Sequence, residues 1–322
     1  MSGVYTSMKI DPCRIESFGA HASLASLVVK QIEASPRHMS FFSRRFSAAD
    51  DLELRLCDSL ARQIYCLAGD EIDAFVNGYD FICDIQTREE IYFRRHNEYR
   101  LRTVADAVEE VYGNRVYMQN YMRGLLMTQV FWSNHTAAMG FYINEMLARN
   151  APHYSLLEIG PGHGLLFSRA VADRRAGSVL GWDLSPASIL ESQEALHKLG
   201  IERPYKLEVR DLFESGYVGS GFDAVVFSEV LEHLEQPGRA LEAIRALMRP
   251  RGRLFVNVPV NSPAPDHLFL LRSPEEAVSF VRQHGFEIER TGLFPATNYS
   301  LEAARKHALT ISVCIIAVKP ES

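Results

Sequence analysis

The sequence is poor in cysteine and has no paired cysteine motif. Its 322 residues include five cysteines, none of them in a C-x-x-C pair. An odd and scattered set of this kind disfavours both a disulfide framework and a zinc site. We therefore expect free thiols in a reducing compartment, and the sequence predicts no metal site. The five are Cys13, Cys57, Cys66, Cys83 and Cys314.

The sequence also lacks an excess of basic charge, a long apolar segment and a secretory leader. Lys plus Arg number 34 against 40 Asp plus Glu, a net charge of −6, whereas a nucleic-acid-binding surface needs the opposite sign. The apolar run at 311–318 is far shorter than the ~20 residues of a membrane span. The first residues show no basic segment followed by an apolar one. We expect a cytoplasmic protein with a small-molecule or peptide acceptor, without nucleic-acid or membrane binding.

Proline is absent from 47–150, and apolar residues recur there at three- and four-residue spacing. This spacing is typical of amphipathic helices. Ser47-Ala-Ala-Asp50 predicts a helix start, Thr87-Arg-Glu-Glu90 has the form of a capping box, and breaks are expected near Gly69 and Gly113. Residues 1–150 therefore predict an all-α N-terminal domain of four to six helices.

The pattern changes to alternating strands and helices in residues 151–322. Short apolar runs at about 154–159, 178–183, 205–209, 222–228 and 252–258 alternate mostly with segments of helical spacing, which indicates parallel β-α-β units. The last two apolar runs, 286–290 and 310–318, are separated by little helix and predict an antiparallel pair at the edge. The fold class is α/β, a doubly wound Rossmann-like sheet.

The segment Leu156-Leu157-Glu158-Ile159-Gly160-Pro161-Gly162-His163-Gly164 lies where the first predicted strand meets the first helix. Its G-x-G-x-G spacing differs from the dinucleotide fingerprint G-x-G-x-x-G. A carboxylate just before the glycines would also repel a pyrophosphate. S-adenosyl-L-methionine (SAM) fits better, because it carries a sulfonium and an ammonium and no phosphate. A tight turn without a ligand is the alternative interpretation.

Two acidic turns follow the second and third predicted strands. Asp183 is placed to meet a ribose diol, about 20 residues beyond the glycines, and Ser185 caps the helix that follows. Asp211 and Leu212 have the form of a turn that contacts adenine. Each could alternatively be a solvated turn.

The segments LEIGPGHG, GWDLSP, RDL, FDAVVFSEVLEHLEQP and LMRPRGRLFVNVP, in this order, resemble the motifs of class I SAM-dependent methyltransferases. The EVLEHL segment is most similar to the ubiquinone-biosynthesis O-methyltransferase branch. The resemblance covers about 150–320 and implies a seven-stranded methyltransferase sheet with a reversed last strand. Arg251 departs from it, because the family usually has glycine there, and this puts the geometry of that turn in question. The predicted cofactor-binding residues are Glu158, Gly160, Pro161, Gly162, Gly164, Asp183, Leu184, Asp211, Leu212, Ser228 and Glu229.

Methyl transfer needs an aligned nucleophile, exclusion of water and, for a protonated acceptor, a base. Asp266 and His267 lie in a proline-rich loop after the fifth predicted strand, and we predict that the carboxylate orients the imidazole as a general base. His233, after the fourth strand, is the other catalytic candidate. A surface turn and a packed helix start are the respective alternatives.

The helical segment just before the sheet could line an acceptor pocket, although an aromatic and methionine stripe is also typical of a core. Arg123 is a candidate anchor for an acceptor carboxylate. In family members, helical extensions of this kind are lids or dimer surfaces, so a homodimer is one expectation. The predicted substrate-binding residues are Tyr117, Tyr121, Arg123, Trp132, His135 and Asn261.

The sequence as a whole predicts a methyltransferase acting on a small or peptidic metabolite, as in natural-product biosynthesis. Methylation at oxygen is favoured by the resemblance around EVLEHL and by the Asp266–His267 base. The oxygen could belong to a hydroxyl or to a carboxylate, including the C-terminus of a modified peptide. Two alternatives stay open: N- or C-methylation of a secondary metabolite, and a non-catalytic SAM-binding partner protein.

Overall fold

A computed structural model describes residues 18–214 and 221–321. The described part begins with helices, the last of which ends at Arg149, and its first strand begins at Tyr154. Cys13 and the N-terminal segment examined for a leader lie outside the described residues. The helices before the sheet are α1 (Ala22–Ala34), α2 (Met39–Ser47), α3 (Asp51–Ala68), α4 (Ile72–His96), α5 (Val104–Ala107), α6 (Arg115–Phe131) and α7 (Ser133–Phe141).

The described residues of this part form seven α-helices, more than the predicted four to six, because α1 and α2 begin before residue 47, where the predicted helical pattern starts. Helix α3 is capped by Asp50, whose side chain accepts a hydrogen bond from the Glu53 backbone at 2.8 Å. The capping box at Thr87 was wrong: Thr87 lies inside α4, where its hydroxyl donates to the Cys83 carbonyl at 2.8 Å. A Ser/Thr hydroxyl can bond the preceding turn in a helix interior as well as cap a helix start.

The sheet has seven strands in the order β3-β2-β1-β4-β5-β7-β6. Neighbours among β1 to β5 are parallel, and β7 is antiparallel to both β5 and β6. This confirms the predicted α/β sheet with a reversed last strand. Of the predicted antiparallel edge pair, only β6 is at an edge of the sheet, because β7 lies between β5 and β6. The strands are β1 (Tyr154–Ile159), β2 (Ala176–Asp183), β3 (Lys206–Val209), β4 (Phe222–Ser228), β5 (Met248–Val260), β6 (Glu287–Pro295) and β7 (Ile311–Val318).

Five helices accompany the sheet. Helices α9 and α10 match the predicted helical segments within two residues, whereas α11 and α12 were not predicted. Both are short, and α12 lies in the segment between β6 and β7 where little helix was expected. The five are α8 (Leu165–Ala172), α9 (Pro186–Lys198), α10 (Pro237–Leu247), α11 (Pro274–Gln283) and α12 (Leu301–Lys306).

The sheet buries both faces, as expected for a sheet with parallel strands. Alternate residues of one strand enter different cores: Leu156 packs with the N-terminal helices, α8 and α9, whereas Leu157 packs with α10, α11 and α12. Phe141 of α7 stacks on Phe255 of β5 with ring centroids 6.4 Å apart. The parts predicted as 1–150 and 151–322 therefore share one hydrophobic core, while their division into two domains stays a prediction.

Helices α4 and α6 cross at two glycines. A Cβ atom added at Gly124 would lie 2.4 Å from the Gly78 carbonyl oxygen, closer than real Cβ atoms approach. This close crossing fixes α6 against α4. No described helix has the length and hydropathy of a membrane span.

Arg251 lies in a turn within β5 and has the backbone geometry of the glycine it replaces. Its φ is 63°, and its amide donates to the Lys319 carbonyl at 2.9 Å. The left-handed conformation costs an L-residue roughly 1–2 kcal/mol. The turn is therefore retained in spite of the side chain.

Candidate active site

The carboxyl ends of four parallel strands meet at one edge of the sheet. In the register, Ile159 lies between Trp182 and Phe227, and Ser228 is opposite Asn257. Ligands of doubly wound sheets bind outside this edge, at the point where the strand order reverses. Here that point lies between β1 and β4. The loops that follow β1, β2, β4 and β5 therefore form the candidate site.

The glycine loop after β1 is built on left-handed backbone. The φ values of Gly160, Gly162 and Gly164 are 71°, 54° and 76°. A Cβ at Gly160 would lie 2.7 Å from Val230, and one at Gly164 would lie 3.0 Å from Ser192. At Gly162, by contrast, the nearest atom would be 3.9 Å away. The outer glycines serve packing, and Gly162 leaves open space over the loop, next to Pro161.

Glu158 is the last polar residue of β1 before this loop. Its side chain is buried, and its Oε2 atom has no hydrogen-bond partner. Burial raises the pKa of Glu158 to about 8. Since buried polar groups in native proteins are nearly always bonded, this unpartnered oxygen indicates a place for a polar group of a ligand.

Asp183 ends β2 beside the glycine loop. Its carboxylate accepts from the Ser185 backbone at 2.8 Å and also from the Gly162 amide. It therefore links the loop after β1 to the loop after β2. Leu184, the next residue, is exposed.

The third loop follows β3, which ends beside Asp183. Asp211 accepts from the Phe213 backbone at 2.8 Å and so caps its own turn, and Leu212 is half-buried against the sheet. These residues lie at the predicted edge, and their contacts with a cofactor stay a prediction.

Glu229 follows β4 with a φ of 54°, a strained conformation for this residue type. Backbone strain of this kind costs about 1–3 kcal/mol and clusters at functional sites. The amide of Glu229 donates to the Asn257 carbonyl at 2.8 Å, and Asn257 donates to Ser228 Oγ at 3.2 Å. Burial raises the pKa of Glu229 to about 7. The turn after β4 is therefore held by β5 and holds the Glu229 carboxyl in a poorly hydrated position.

The structure brings His233, Asp266 and His267 together but does not form the predicted Asp266–His267 pair. His267 Nδ1 lies 2.7 Å from the Ser262 carbonyl, and His233 Nδ1 lies 3.0 Å from the Asp266 carbonyl. The Asp266 carboxylate is 3.5 Å from His233 Nδ1. The predicted pair does not form because the two adjacent side chains point to different sides of the turn, Asp266 towards the tyrosines and His267 towards Glu232. Burial is the main cause that lowers the pKa of His267, to about 4.

Two tyrosines from the N-terminal helices hold the Asp266 carboxylate. Tyr121 donates to Oδ1 and Tyr112 donates to Oδ2, each at 3.1 Å. Tyr117 lies nearby on α6, where burial and the Asp266 carboxylate raise its pKa to about 12. The N-terminal helices thus contribute directly to the candidate site.

Sequence reasoning missed Tyr112 and Glu232 as site residues. Glu232 is fully buried between the two histidines, and neither of its carboxylate oxygens has a hydrogen-bond partner. Its Oε1 atom is 3.9 Å from His233 Nε2 and 4.0 Å from His267 Nε2. The adjacent Glu-His dipeptide in EVLEHL was the available signal for Glu232, whereas nothing in the sequence pointed to Tyr112.

Two other predicted substrate residues have side-chain partners other than Asp266. Arg123 pairs with Glu71 at 2.6 Å on the surface. The Asn261 side chain donates to the Arg272 carbonyl at 2.8 Å and so stabilises the loop after β5. The guanidinium of Arg123, the predicted anchor for an acceptor carboxylate, therefore already binds the carboxylate of Glu71.

Trp132 and His135 lie beyond the end of α6. Trp132 donates to the Tyr79 hydroxyl at 3.2 Å, and His135 Nδ1 is 2.9 Å from Thr128 Oγ1. Burial and the nearby His163 of the glycine loop lower the pKa of His135 to about 4. The segment that carries Tyr121 therefore also approaches the glycine loop.

Comparison with known proteins agrees with this geometry. A family model described as a methyltransferase domain matches residues 157–254, which contain the glycine loop, the acidic turns and EVLEHL. The chain contains a class I SAM-dependent methyltransferase domain. The matched segment contains the glycine loop and the two acidic turns, while Asp266, His267 and the two tyrosines lie outside it.

The methyltransferase domain is also similar to curated enzymes. Ubiquinone biosynthesis O-methyltransferase from Xanthomonas axonopodis pv. citri is 33% identical over 111 residues, covering 34% of this chain and 44% of the relative. The enzyme of the same name from Xylella fastidiosa (strain 9a5c) is 37% identical over 105 residues, covering 32% and 40%. The chain thus spans less than half the length of these relatives.

A solved structure, magnesium protoporphyrin IX methyltransferase from Synechocystis PCC 6803, is 20% identical. The match covers 73% of this chain and 97% of the solved chain, with a TM-score of 0.44.

Proposed function

We propose that this protein transfers a methyl group from SAM to an oxygen atom of a small-molecule or peptidic acceptor. The observation that carries the proposal is the carboxyl edge of the sheet, where the open glycine loop and the unpartnered Glu158 oxygen adjoin the cluster around Asp266. The matched methyltransferase domain supplies the reaction class, and the names of the curated relatives support oxygen as the acceptor atom.

The residues present fit SAM. The open space at Gly162 lets the backbone approach a ligand closely. The unpartnered carboxyl oxygen of Glu158 suits a ligand with a positive charge, which also favours the ionised form of this carboxyl. In this proposal Asp183 binds the ribose diol, and Asp211 with Leu212 binds adenine. When bound, SAM would supply a methyl group on a sulfonium that is already a good leaving group.

The protein's own part is to align the acceptor and to receive its proton. Ser228 ends β4 and Glu229 follows it, between the glycine loop and the two histidines. Three groups can accept a proton from a bound hydroxyl: the carboxyl of Glu229 and the unprotonated Nε2 atoms of His233 and His267. Their partly buried surroundings exclude water, which strengthens each polar contact with the acceptor.

A hydroxyl or phenol acceptor is favoured over a carboxylate. A carboxylate needs a cationic anchor and no base, whereas a hydroxyl benefits from a base. Arg123, the predicted anchor, is paired with Glu71. The groups gathered at the site are instead carboxyls, imidazoles and phenol hydroxyls, which accept or share protons.

The N-terminal helices form the acceptor wall in this proposal. Tyr112 and Tyr121 reach Asp266, and His135 approaches His163 of the glycine loop. Helix α6 and the residues just beyond it therefore extend from the acceptor side to the cofactor side. In this proposal the N-terminal helices cover the reacting groups. The cover forms within one chain and does not require a dimer.

The test combines cofactor binding with turnover. Titration calorimetry should show one SAM site in the parent and a strong loss of affinity in Asp183→Ala, with an unchanged circular dichroism spectrum. Formation of S-adenosylhomocysteine should then be measured with catechols, simple phenols, aliphatic alcohols, carboxylates and amines. We expect turnover with hydroxyl compounds.

Arg123→Gln is the matched control for the acceptor class, because it removes the proposed carboxylate anchor without touching the cluster. Turnover of a hydroxyl acceptor should be retained in this variant. Turnover of carboxylates alone, abolished by Arg123→Gln, would overturn the assignment to hydroxyls. SAM binding without turnover of any acceptor class, in a cell extract as well, would support a non-catalytic role.

A further inference from the structure

We propose that Glu232, His233 and His267 form a binding site for a divalent first-row transition-metal ion. The sequence predicted no metal, because the cysteines have no metal-ligand spacing. The histidines and the glutamate meet only in the folded chain, since the loop after β5 carries His267 to the turn after β4. The ligand atoms are one carboxylate oxygen and two imidazole nitrogens, all within 4.8 Å of one another.

The separations suit one ion after a small contraction. Zinc binds imidazole nitrogen and carboxylate oxygen at about 2.0–2.2 Å, so two ligands of one ion stand at most about 4.4 Å apart. Glu232 Oε1 lies 3.9 Å from His233 Nε2 and 4.0 Å from His267 Nε2. Both distances are within the limit for a shared ion and are too long for a direct hydrogen bond.

The tautomers of the two histidines are already those of metal ligands. In each ring, Nδ1 is within hydrogen-bonding distance of a backbone carbonyl: Ser262 for His267 and Asp266 for His233. A carbonyl only accepts, so each Nδ1 carries the proton and each Nε2 presents a lone pair. Metal-ligating histidines characteristically donate their other ring N–H to a carbonyl or carboxylate in this way. Both lone pairs belong to the nitrogens nearest Glu232.

Glu232 shares its buried position with the Glu229 carboxyl, which can share a proton with it but cannot stabilise it as a carboxylate. It is fully buried, and neither of its oxygens has a hydrogen-bond partner in the part of the chain that the structure describes. Leaving such a group unsatisfied is costly unless a partner binds there. A cation would satisfy the carboxylate and use the histidine lone pairs at once.

Asp266 orients one ligand of the site. It carries the carbonyl that receives His233 Nδ1–H, and its own carboxylate is fixed by Tyr112 and Tyr121. Glu229 is a further carboxyl beside Glu232. Three protein ligands leave open positions on the ion, as catalytic metal sites do.

The open positions would take the acceptor oxygen. A bound divalent ion lowers the pKa of a coordinated hydroxyl and holds it in place, which gives methylation at oxygen a defined nucleophile. This role rests on the proposed function. Ligation would withdraw both Nε2 atoms from proton transfer and leave Glu229 as the neighbouring proton acceptor. The acceptor class that fits best is then a compound with two adjacent oxygens, such as a catechol.

The experiment measures metal binding directly. The protein is stripped with EDTA, dialysed and titrated with Mn²⁺ alone, and free Mn²⁺ is measured by electron paramagnetic resonance. Mn²⁺ is chosen because it prefers oxygen and nitrogen over thiolate, which avoids the exposed Cys66. We expect one site in the parent and at least a tenfold loss of affinity in Glu232→Gln and in His267→Gln.

His197→Gln is the matched control, because it removes an exposed histidine at the end of α9 and should bind Mn²⁺ like the parent. If Glu232→Gln fails to fold, His233→Gln decides, since this half-exposed side chain can be replaced with less disturbance. Absence of Mn²⁺ binding in the parent, or equal affinity in all variants, would overturn the metal site.

SAM affinity of the same samples separates this inference from the proposed function. SAM binding and turnover without Mn²⁺ binding contradict only the metal site. Mn²⁺ binding that depends on Glu232, in a protein that does not bind SAM, contradicts only the methyltransferase activity.

Discussion

Tyr121→Phe should destabilise the protein by removing one buried hydrogen bond without changing the shape of the side chain. Tyr121 is buried, and its hydroxyl donates to Asp266 Oδ1 at 3.1 Å. Hydrogen bonds to charged groups contribute about 1.5–3 kcal/mol. The 3.1 Å length exceeds the 2.5–2.7 Å of a strong O–H···O⁻ bond, so we expect the lower end, about 1.5 kcal/mol.

Urea denaturation of the parent and the variant measures this difference. Tyr117→Phe is the control on the same helix, because its ring packs on Phe81 with centroids 5.1 Å apart and no hydrogen bond of its hydroxyl to a described residue was found. We expect less than about 0.5 kcal/mol for Tyr117→Phe, because this change keeps the ring and removes no hydrogen bond to a described residue. The melting temperature of Tyr121→Phe should fall by roughly 3 °C.

A double-mutant cycle with Asp266→Ala isolates the bond from other effects of each change. If Tyr121 acts through Asp266, the double variant should be more stable than the sum of the single effects allows, by about 1 kcal/mol. Additive effects, or a loss in Tyr117→Phe as large as that in Tyr121→Phe, would refute the reasoning.

Three further predictions concern the backbone and the cofactor edge. Gly124→Ala should lower the free energy of unfolding by roughly 2–3 kcal/mol in urea, since the added methyl would meet the Gly78 carbonyl and overpacking costs about 1–3 kcal/mol; an unchanged midpoint would contradict this. Arg251→Gly should change it by less than about 1 kcal/mol, because relief of the left-handed φ offsets the added chain entropy. Glu158 is buried with its pKa raised to about 8, so its contribution to stability is complete below about pH 4.5 and is lost as the pH rises to 8. Denaturation of the SAM-free protein at several pH values should show a smaller decline in Glu158→Gln.

The cofactor edge could be predicted because it depends on local patterns. Strand ends, glycines and strand-end acids follow one another along the chain, and parallel β-α-β connections bring all strand ends to one edge. The close approach of Gly160 to Val230 illustrates this: the glycine and the start of EVLEHL were both recognised in the sequence, and the topology makes them neighbours.

The acceptor side could not be predicted in the same way. Asp266 and His267 are adjacent in sequence, but the turn directs one to the tyrosines and the other to Glu232. Tyr112 comes from a helix more than a hundred residues away, and no local pattern marks it. The Thr87 capping box failed for a related reason, since four residues cannot tell a helix start from a helix interior.

The core shared by the N-terminal helices and the sheet has a consequence for the origin and handling of this chain. Phe255 and Leu156 face those helices, so a fragment that began at the first strand would present an apolar sheet face to water. A sheet in such a state tends to associate with other copies through that face. The helices that hold Asp266 therefore also cover the apolar face of the methyltransferase sheet, and their loss would require another layer in their place.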